Sequence, residues 1–316
     1  MSAVPESASV RPENSTNVRP IRGARRRSVA PSAAAITAVR VGLRVAEALP
    51  GELAAAWAER LFTTPRRFTR PERERALLAG ARRFTFSSVA GGSGVALRGW
   101  RWGRDEDPAV LLVHGWEGRG TQLGALVAPL LARGFQVVTF DAPAHGRSPG
   151  TSVVLTDTAR AIVAAARAAG PLAGIVAHSL GAAATSIAIA HFDLFAGGTP
   201  RLAYLAPPAW VSRATTYFAR RLGLSDELRA ALDRRLVQRT GFDVLSLDGP
   251  TLARGIDAPL LVVHDEDDDE VPLAAGRAIV EAWPGARLQV THGLGHRRIL
   301  RDAPTVTSVA DFLAAR

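Results

Sequence analysis

The strongest constraint on the fold is an alternation of two residue patterns. Short apolar runs at Ala109–Val113, Phe135–Phe140, Gly174–Ala177, Arg201–Leu205, Pro259–Val263 and Arg287–Thr291 read as strands, with helical stretches between them. Runs this short and this uniformly apolar suit strands covered on both faces. A β–α alternation builds a mostly parallel, twisted sheet with helices on both faces, so the expected class is α/β. In such sheets ligands and chemistry sit beyond the carboxyl ends of the strands. Thr121 is expected to cap a helix that turns Leu123, Leu126, Val127, Leu130 and Leu131 inward and ends at Gly134. The last helix turns Val306, Val309 and Leu313 inward.

Around this repeat the chain divides into parts. Residues 1–31 carry six arginines against Glu6 and Glu13, with Ser, Pro and Asn and no periodicity, and read as a disordered basic tail. An N-terminal helical segment covers 32–79: Ile36, Val39, Leu43 and Ala46 share one face, Pro50 stops that helix, and Leu53, Trp57 and Leu61 mark a second. The α/β domain covers 80–316 and opens with a hairpin, Arg83–Ser88 and Ala96–Trp102, around a glycine-rich turn. Residues 208–257 break the alternation with helical pattern alone. They read as a helical lid between two strands, with Trp210, Tyr217 and Phe218 as apolar lining or as core.

Composition removes several chemistries. There is no cysteine, which excludes disulfides, thiol catalysis and cysteine-held metals. All 39 basic residues are arginine, so lysine Schiff-base chemistry and a P-loop lysine are excluded. Of the net charge of +10, +4 sits in residues 1–31 and the rest is spread without an aromatic-interleaved basic run, so nucleic acid is not an expected partner. No apolar run is long enough to span a membrane. A cytoplasmic protein is expected. The alternatives are export, from the charged Arg25–Arg27 and the short alanine-rich stretch after it, or peripheral membrane contact through residues 20–49.

The residues with chemical promise fall just after the strands. Ala177-His178-Ser179-Leu180-Gly181 follows one apolar run and opens a helix. A serine can be presented there on a tight turn only if the residues two before and two after it are small, as Ala177 and Gly181 are. The N–H of Leu180 then lies at a helix N-terminus, which favours negative charge. The alternative is an ordinary strand-to-helix turn with a capping serine. Six consecutive acids, Asp265 to Glu270, invite a calcium reading, but Glu270 stands where an EF-hand needs glycine and Gly276 where it needs glutamate. His292 and His296 are four apart, yet glycines lie between them and no glutamate follows His292, so the zinc-protease spacing fails.

Four motifs together with the serine turn resemble the α/β-hydrolase superfamily over roughly residues 83–316. They are His114-Gly115-Trp116, the run Asp141-Ala142-Pro143-Ala144-His145-Gly146-Arg147-Ser148, the acidic run ending in Val271-Pro272, and Gly293-Leu294-Gly295-His296. The resemblance extends to a bacterial group of small hydrolases with an extra N-terminal helical segment. It implies Ser179 as nucleophile and His296 as base. The acid is the residue three before the Val-Pro pair, Asp268, with Asp265 and Asp267 as fallbacks. The Trp116 and Leu180 N–H groups become the oxyanion hole. His114 is then a structural histidine and His145 part of a loop, and the order Ser179, Asp268, His296 is the family's order.

The expected function is cleavage of a small-molecule carboxylic ester through an acyl-enzyme on Ser179, with no metal or organic cofactor. Thioester or amide hydrolysis and acyl transfer use the same residues. A ligand-binding protein on a hydrolase scaffold is the rival from another class.

Overall fold

A computed structural model describes residues 33–47, 51–195 and 198–315. The expectations for residues 1–31, the first part of the export-like stretch (25–32) and the helix stop at Pro50 lie outside the described residues. The N-terminal part forms helices α1 (Ala33–Glu47), α2 (Gly51–Thr63) and α3 (Glu72–Ala79), then the hairpin β1 (Arg82–Ala90) and β2 (Ser93–Trp102). The alternation follows as β3 (Ala109–Val113), α4 (Val127–Leu131), β4 (Gln136–Phe140), α5 (Leu155–Ala169), β5 (Leu172–His178), α6 (Leu180–His191) and β6 (Arg201–Leu205). Helices α7 (Ala214–Leu222), α8 (Asp226–Thr240) and α9 (Gly249–Ala253) intervene before β7 (Leu260–Asp265), α10 (Leu273–Ala282), β8 (Arg287–Thr291), α11 (Gly295–Arg298) and α12 (Ala303–Ala314).

The strands make one eight-stranded sheet in the order β1-β2-β4-β3-β5-β6-β7-β8. β2 is antiparallel to both neighbours, and every pair from β4 across to β8 is parallel. All five residues of β3 are buried because both faces are covered. Leu111 and Val113 meet α5 and α6 on one face, while Val110 and Leu112 meet the helices that carry Leu130 and Val309 on the other. That two-sided burial is why the strands read as unbroken apolar runs rather than as alternating ones.

The stretch after β3 departs from the expected single helix. Gly120–Leu126 is a 3₁₀ turn with a kink at Leu123, and only Val127–Leu131 is α-helical. Close contacts explain the break: a Cβ on Gly120 would lie 2.7 Å from the Phe140 carbonyl oxygen, and Gly124 packs against the Leu77 side chain. Thr121 does not cap it; its hydroxyl donates to Glu74 Oε2 at 2.6 Å.

The N-terminal helices and the helices after β6 pack on each other. Leu43 of α1 and Ala54, Ala55 and Ala58 of α2 form one buried cluster with Leu228 of α8. Leu53, expected on the inward face, is exposed. Alanine turns inward instead, because a small side chain allows close approach of α8, and a pattern read from large residues passes over it. Arg235 and Arg239 of α8 seal the contact on Glu59 at 2.7 and 3.2 Å. Phe218 meets Phe62 edge-on at 5.2 Å inside this cap, whereas Tyr217 is exposed and Trp210 packs against the main core. No described helix is long and apolar enough to cross a membrane. The tight α2–α8 contact predicts that Ala55→Leu lowers unfolding stability by about 1–3 kcal/mol through overpacking. Urea denaturation checks this, and an unchanged midpoint contradicts it.

Candidate active site

The turn between β5 and α6 holds Ser179 at φ 52°, ψ −128°, outside the regions a side-chain-bearing residue prefers. Such strain costs of order 1–3 kcal/mol and persists only where the surroundings over-determine it. Here the Ser179 N–H donates to the Leu205 carbonyl at 2.9 Å and the Ser179 carbonyl accepts from Ala182 N–H at 2.8 Å. Gly181 and Gly115 let the turn sit against the end of β3. A Cβ on Gly181 would lie 2.5 Å from the His114 carbonyl oxygen, and one on Gly115 would lie 2.9 Å from Ser179 Cβ.

Three strand ends then converge. His296 Nε2 lies 3.0 Å from Ser179 Oγ, and His296 Nδ1 lies 2.7 Å from Asp268 Oδ2. All three residues are buried. Asp268 Oδ1 accepts the N–H groups of Glu270 and Val271 at 2.9 and 2.8 Å. Burial works to raise this carboxyl, but its bonds to His296, Val271 and Glu270 outweigh burial and leave it below the usual value. With Nδ1–H committed to the carboxylate, His296 Nε2 is the nitrogen free to take a proton from the serine. The N–H groups of Trp116 and Leu180 have no acceptor among the described residues.

The two fallback acids do other work. Buried Asp265 accepts from Gly295 N–H, Leu294 N–H and the Thr291 hydroxyl at 2.8, 3.1 and 2.7 Å. Asp267 accepts from Gly293 N–H at 2.7 Å. Both knot the loop that presents His296, and neither touches its ring. His292 lies on the surface against Glu266 at 2.8 Å, which raises its pKa. Sequence reasoning passed over Asp265 and Asp267 in this role. Their position at the end of β7, opposite a Gly-x-Gly loop, was the available signal.

Four further histidines surround the site as neutral struts. His114 donates Nδ1–H to Gly115 O at 2.8 Å and accepts Ala142 N–H at 3.0 Å. His145 donates Nδ1–H to Pro143 O at 2.9 Å and accepts Glu117 N–H at 3.0 Å. His178 donates Nε2–H to the His296 carbonyl at 3.0 Å, and His264 donates to the Val271 carbonyl at 2.9 Å. These assignments follow from the partners. Burial is the main cause that pushes His114 down to about 4, His145 to about 3 and His178 to about 3. It lowers His264 as well.

In the unfolded chain these imidazoles protonate near the ordinary value of about 6.5, whereas in the fold they stay neutral well below it. Their contribution to stability is therefore full above pH 6.5 and is lost as the pH falls towards about 4 for His114 and about 3 for His145 and His178. With three such groups, stability should fall around pH 5 with a slope of roughly 4 kcal/mol per pH unit. Denaturant midpoints at pH 7, 6 and 5 measure it, and a flat profile contradicts the neutral assignments.

With this geometry in place, comparison with known proteins gives a consistent result. The sequence profile described as the alpha/beta hydrolase family matches residues 110–309. A curated relative, the non-heme chloroperoxidase of Streptomyces lividans, is 27% identical over 241 residues, covering 62% of this chain and 87% of its own. Among solved structures, the Pyrococcus furiosus esterase Pf2001 aligns with TM-score 0.57 and 20% identity over 79% of this chain and 98% of its own. A bromoperoxidase from Bacillus anthracis aligns with TM-score 0.56 and 16% identity over 73% of this chain and 100% of its own. At these identities the structural likeness speaks for the fold alone. On the profile match, the chain belongs to the alpha/beta hydrolase family.

Proposed function

We propose that the protein hydrolyses a carboxylic ester through an acyl-enzyme on Ser179. The observation that carries this reading is the relay from Asp268 through His296 to Ser179, with bonds of 2.7 and 3.0 Å, on a serine held at φ 52°. His296 Nε2 takes the Ser179 proton as Oγ attacks the ester carbonyl carbon, and Asp268 stabilises the imidazolium. The Trp116 and Leu180 N–H groups bind the oxyanion, a contribution of several kcal/mol to lowering the barrier. The carbon–oxygen bond to the alcohol breaks, and His296 hands its proton to the leaving oxygen. Water, deprotonated in turn by His296, attacks the acyl carbon. The acid leaves, and the proton returns to Ser179.

The Streptomyces relative named as a chloroperoxidase favours a second reading, in which hydrogen peroxide replaces water as acyl acceptor. The product is then a peracid, which passes its terminal oxygen to halide and reverts to the acid. Thioesters, amides and acceptor alcohols place the same demands on the residues and differ only in the leaving or accepting group. In this reading the helices α7 and α8, packed with α1 and α2, act as a lid that selects among them.

p-Nitrophenyl esters of rising chain length, set beside matched thioester and anilide substrates, test the bond type. Ester turnover should dominate. Ser179→Ala and His296→Ala should each lower kcat by at least about 10⁴-fold, and Asp268→Asn by about 10³- to 10⁴-fold. Near-wild-type turnover in Ser179→Ala removes the reading. Halide oxidation that requires the ester, peroxide and Ser179 together selects the second.

A further inference from the structure

Residues 64–79 join the helical cap to the first strand and contribute no group to the reaction above. Four of their charged side chains nevertheless converge on the loops beside Ser179. Arg66 grips Glu117 with two parallel bonds, Nε to Oε1 and Nη2 to Oε2, both 2.8 Å. Glu74, buried, grips Arg119 at 2.5 and 2.6 Å. Arg70 reaches Asp141 Oδ2 at 2.7 Å, and Oδ1 of the same carboxylate accepts Gly120 N–H at 2.9 Å. Arg67 donates to the carbonyls of Ala144, Ser148 and Gly150 at 3.0, 2.8 and 2.7 Å.

The joint that matters is Glu117, the residue after Trp116. It sits at φ 55°, a left-handed conformation in which a side chain is strained. Three ties hold it there: the turn bond from Gly118 N–H to the Gly115 carbonyl at 3.0 Å, its own N–H on His145 Nε2 at 3.0 Å, and its carboxylate, which accepts from the Arg66 guanidinium at 2.8 Å and from the Arg66 backbone N–H at 3.2 Å. If the carboxylate is released, relaxation of Glu117 rotates the peptide chain about its own N–Cα bond and carries Trp116 with it. An ion pair as exposed as this one on the arginine side adds little to global stability, so its effect falls on local geometry.

We propose that Arg66 is a positioning residue for catalysis: through Glu117 it fixes the backbone N–H of Trp116 where the oxyanion forms. This rests on the Ser179 hydrolase reading. The remaining grips at Glu74, Arg70 and Arg67 brace the same two loops, so the N-terminal segment is part of the catalytic frame rather than an appendage. A lysine at 66 cannot reproduce the two-pronged bond.

The test compares full-length wild type with Arg66→Ala, Arg66→Lys and Glu117→Gln in p-nitrophenyl ester turnover. Arg75→Ala is the control, since Arg75 pairs with Glu72 on the exposed side of α3. In Arg66→Ala and Glu117→Gln, kcat should fall roughly tenfold to a hundredfold with KM within about twofold, because a donor to the transition state is misplaced rather than the substrate site lost. Arg66→Lys should fall between, and Arg75→Ala should match wild type. Added methylguanidinium should recover part of kcat in Arg66→Ala and none in Glu117→Gln. Wild-type kcat in both Arg66→Ala and Glu117→Gln overturns the proposal alone, as does a raised KM at unchanged kcat. A folded wild type that turns over no ester overturns the hydrolase reading first and this proposal with it. Should Arg66→Ala not fold, Glu117→Gln decides.

Discussion

Where β3 and β5 end, a single hydrogen occupies the space in which any side chain would collide. Gly181 faces the His114 carbonyl and Gly115 faces Ser179 Cβ, so two backbones meet without intervening side chains. Much of the site depends on that contact. It allows Ser179 to sit on a strained turn, and it brings the loop that carries Trp116 alongside the first turn of α6. It also places His178 under the His296 loop, with the two rings 4.7 Å apart. Two small residues at the ends of buried strands thus determine where a hydroxyl, an imidazole and two N–H donors can gather.

The second element of the design is how loops are held without regular secondary structure. The chain uses buried neutral imidazoles and buried carboxylates as cross-braces. His114 and His145 each join two loop segments through one donated and one accepted bond. Asp141 and Asp265 each collect several donors. Each of these buried groups has at least one hydrogen-bond partner. His178 and His264 each leave Nδ1 without a partner among the described residues, which is a reason for them to stay neutral.

Much of this was legible in the sequence, for physical reasons. Strands such as Val110–Val113 and Val137–Phe140 are buried on both faces and so carry a continuous apolar signal. Ser179, Asp268 and His296 each follow a strand, in turns whose small residues mark them, and the geometry brings these three together. The rest was hidden where one residue type does several jobs. Every positive charge is arginine, so Arg66, Arg67 and Arg70 do not stand out from the solvated ones. Six acids in a row conceal two distinct tasks: Asp265 and Asp267 tie down the loop of His296, and Asp268 holds its ring. Alanine carries little periodic signal, which is why the inward face of α2 was read from Leu53 rather than from Ala54, Ala55 and Ala58. Thr121 looks like a cap in the sequence because Glu74, its actual partner, lies 47 residues away.

In the proposed reading Ser179 is an activated nucleophile. Its most direct measurement is reaction of the folded, full-length protein with a fluorophosphonate probe, followed by mass spectrometry of the labelled peptide. One adduct is expected, on Ser179, formed quickly by wild type and lost when His296 is replaced by alanine. An adduct on another serine, or no adduct on well-folded protein, would contradict it.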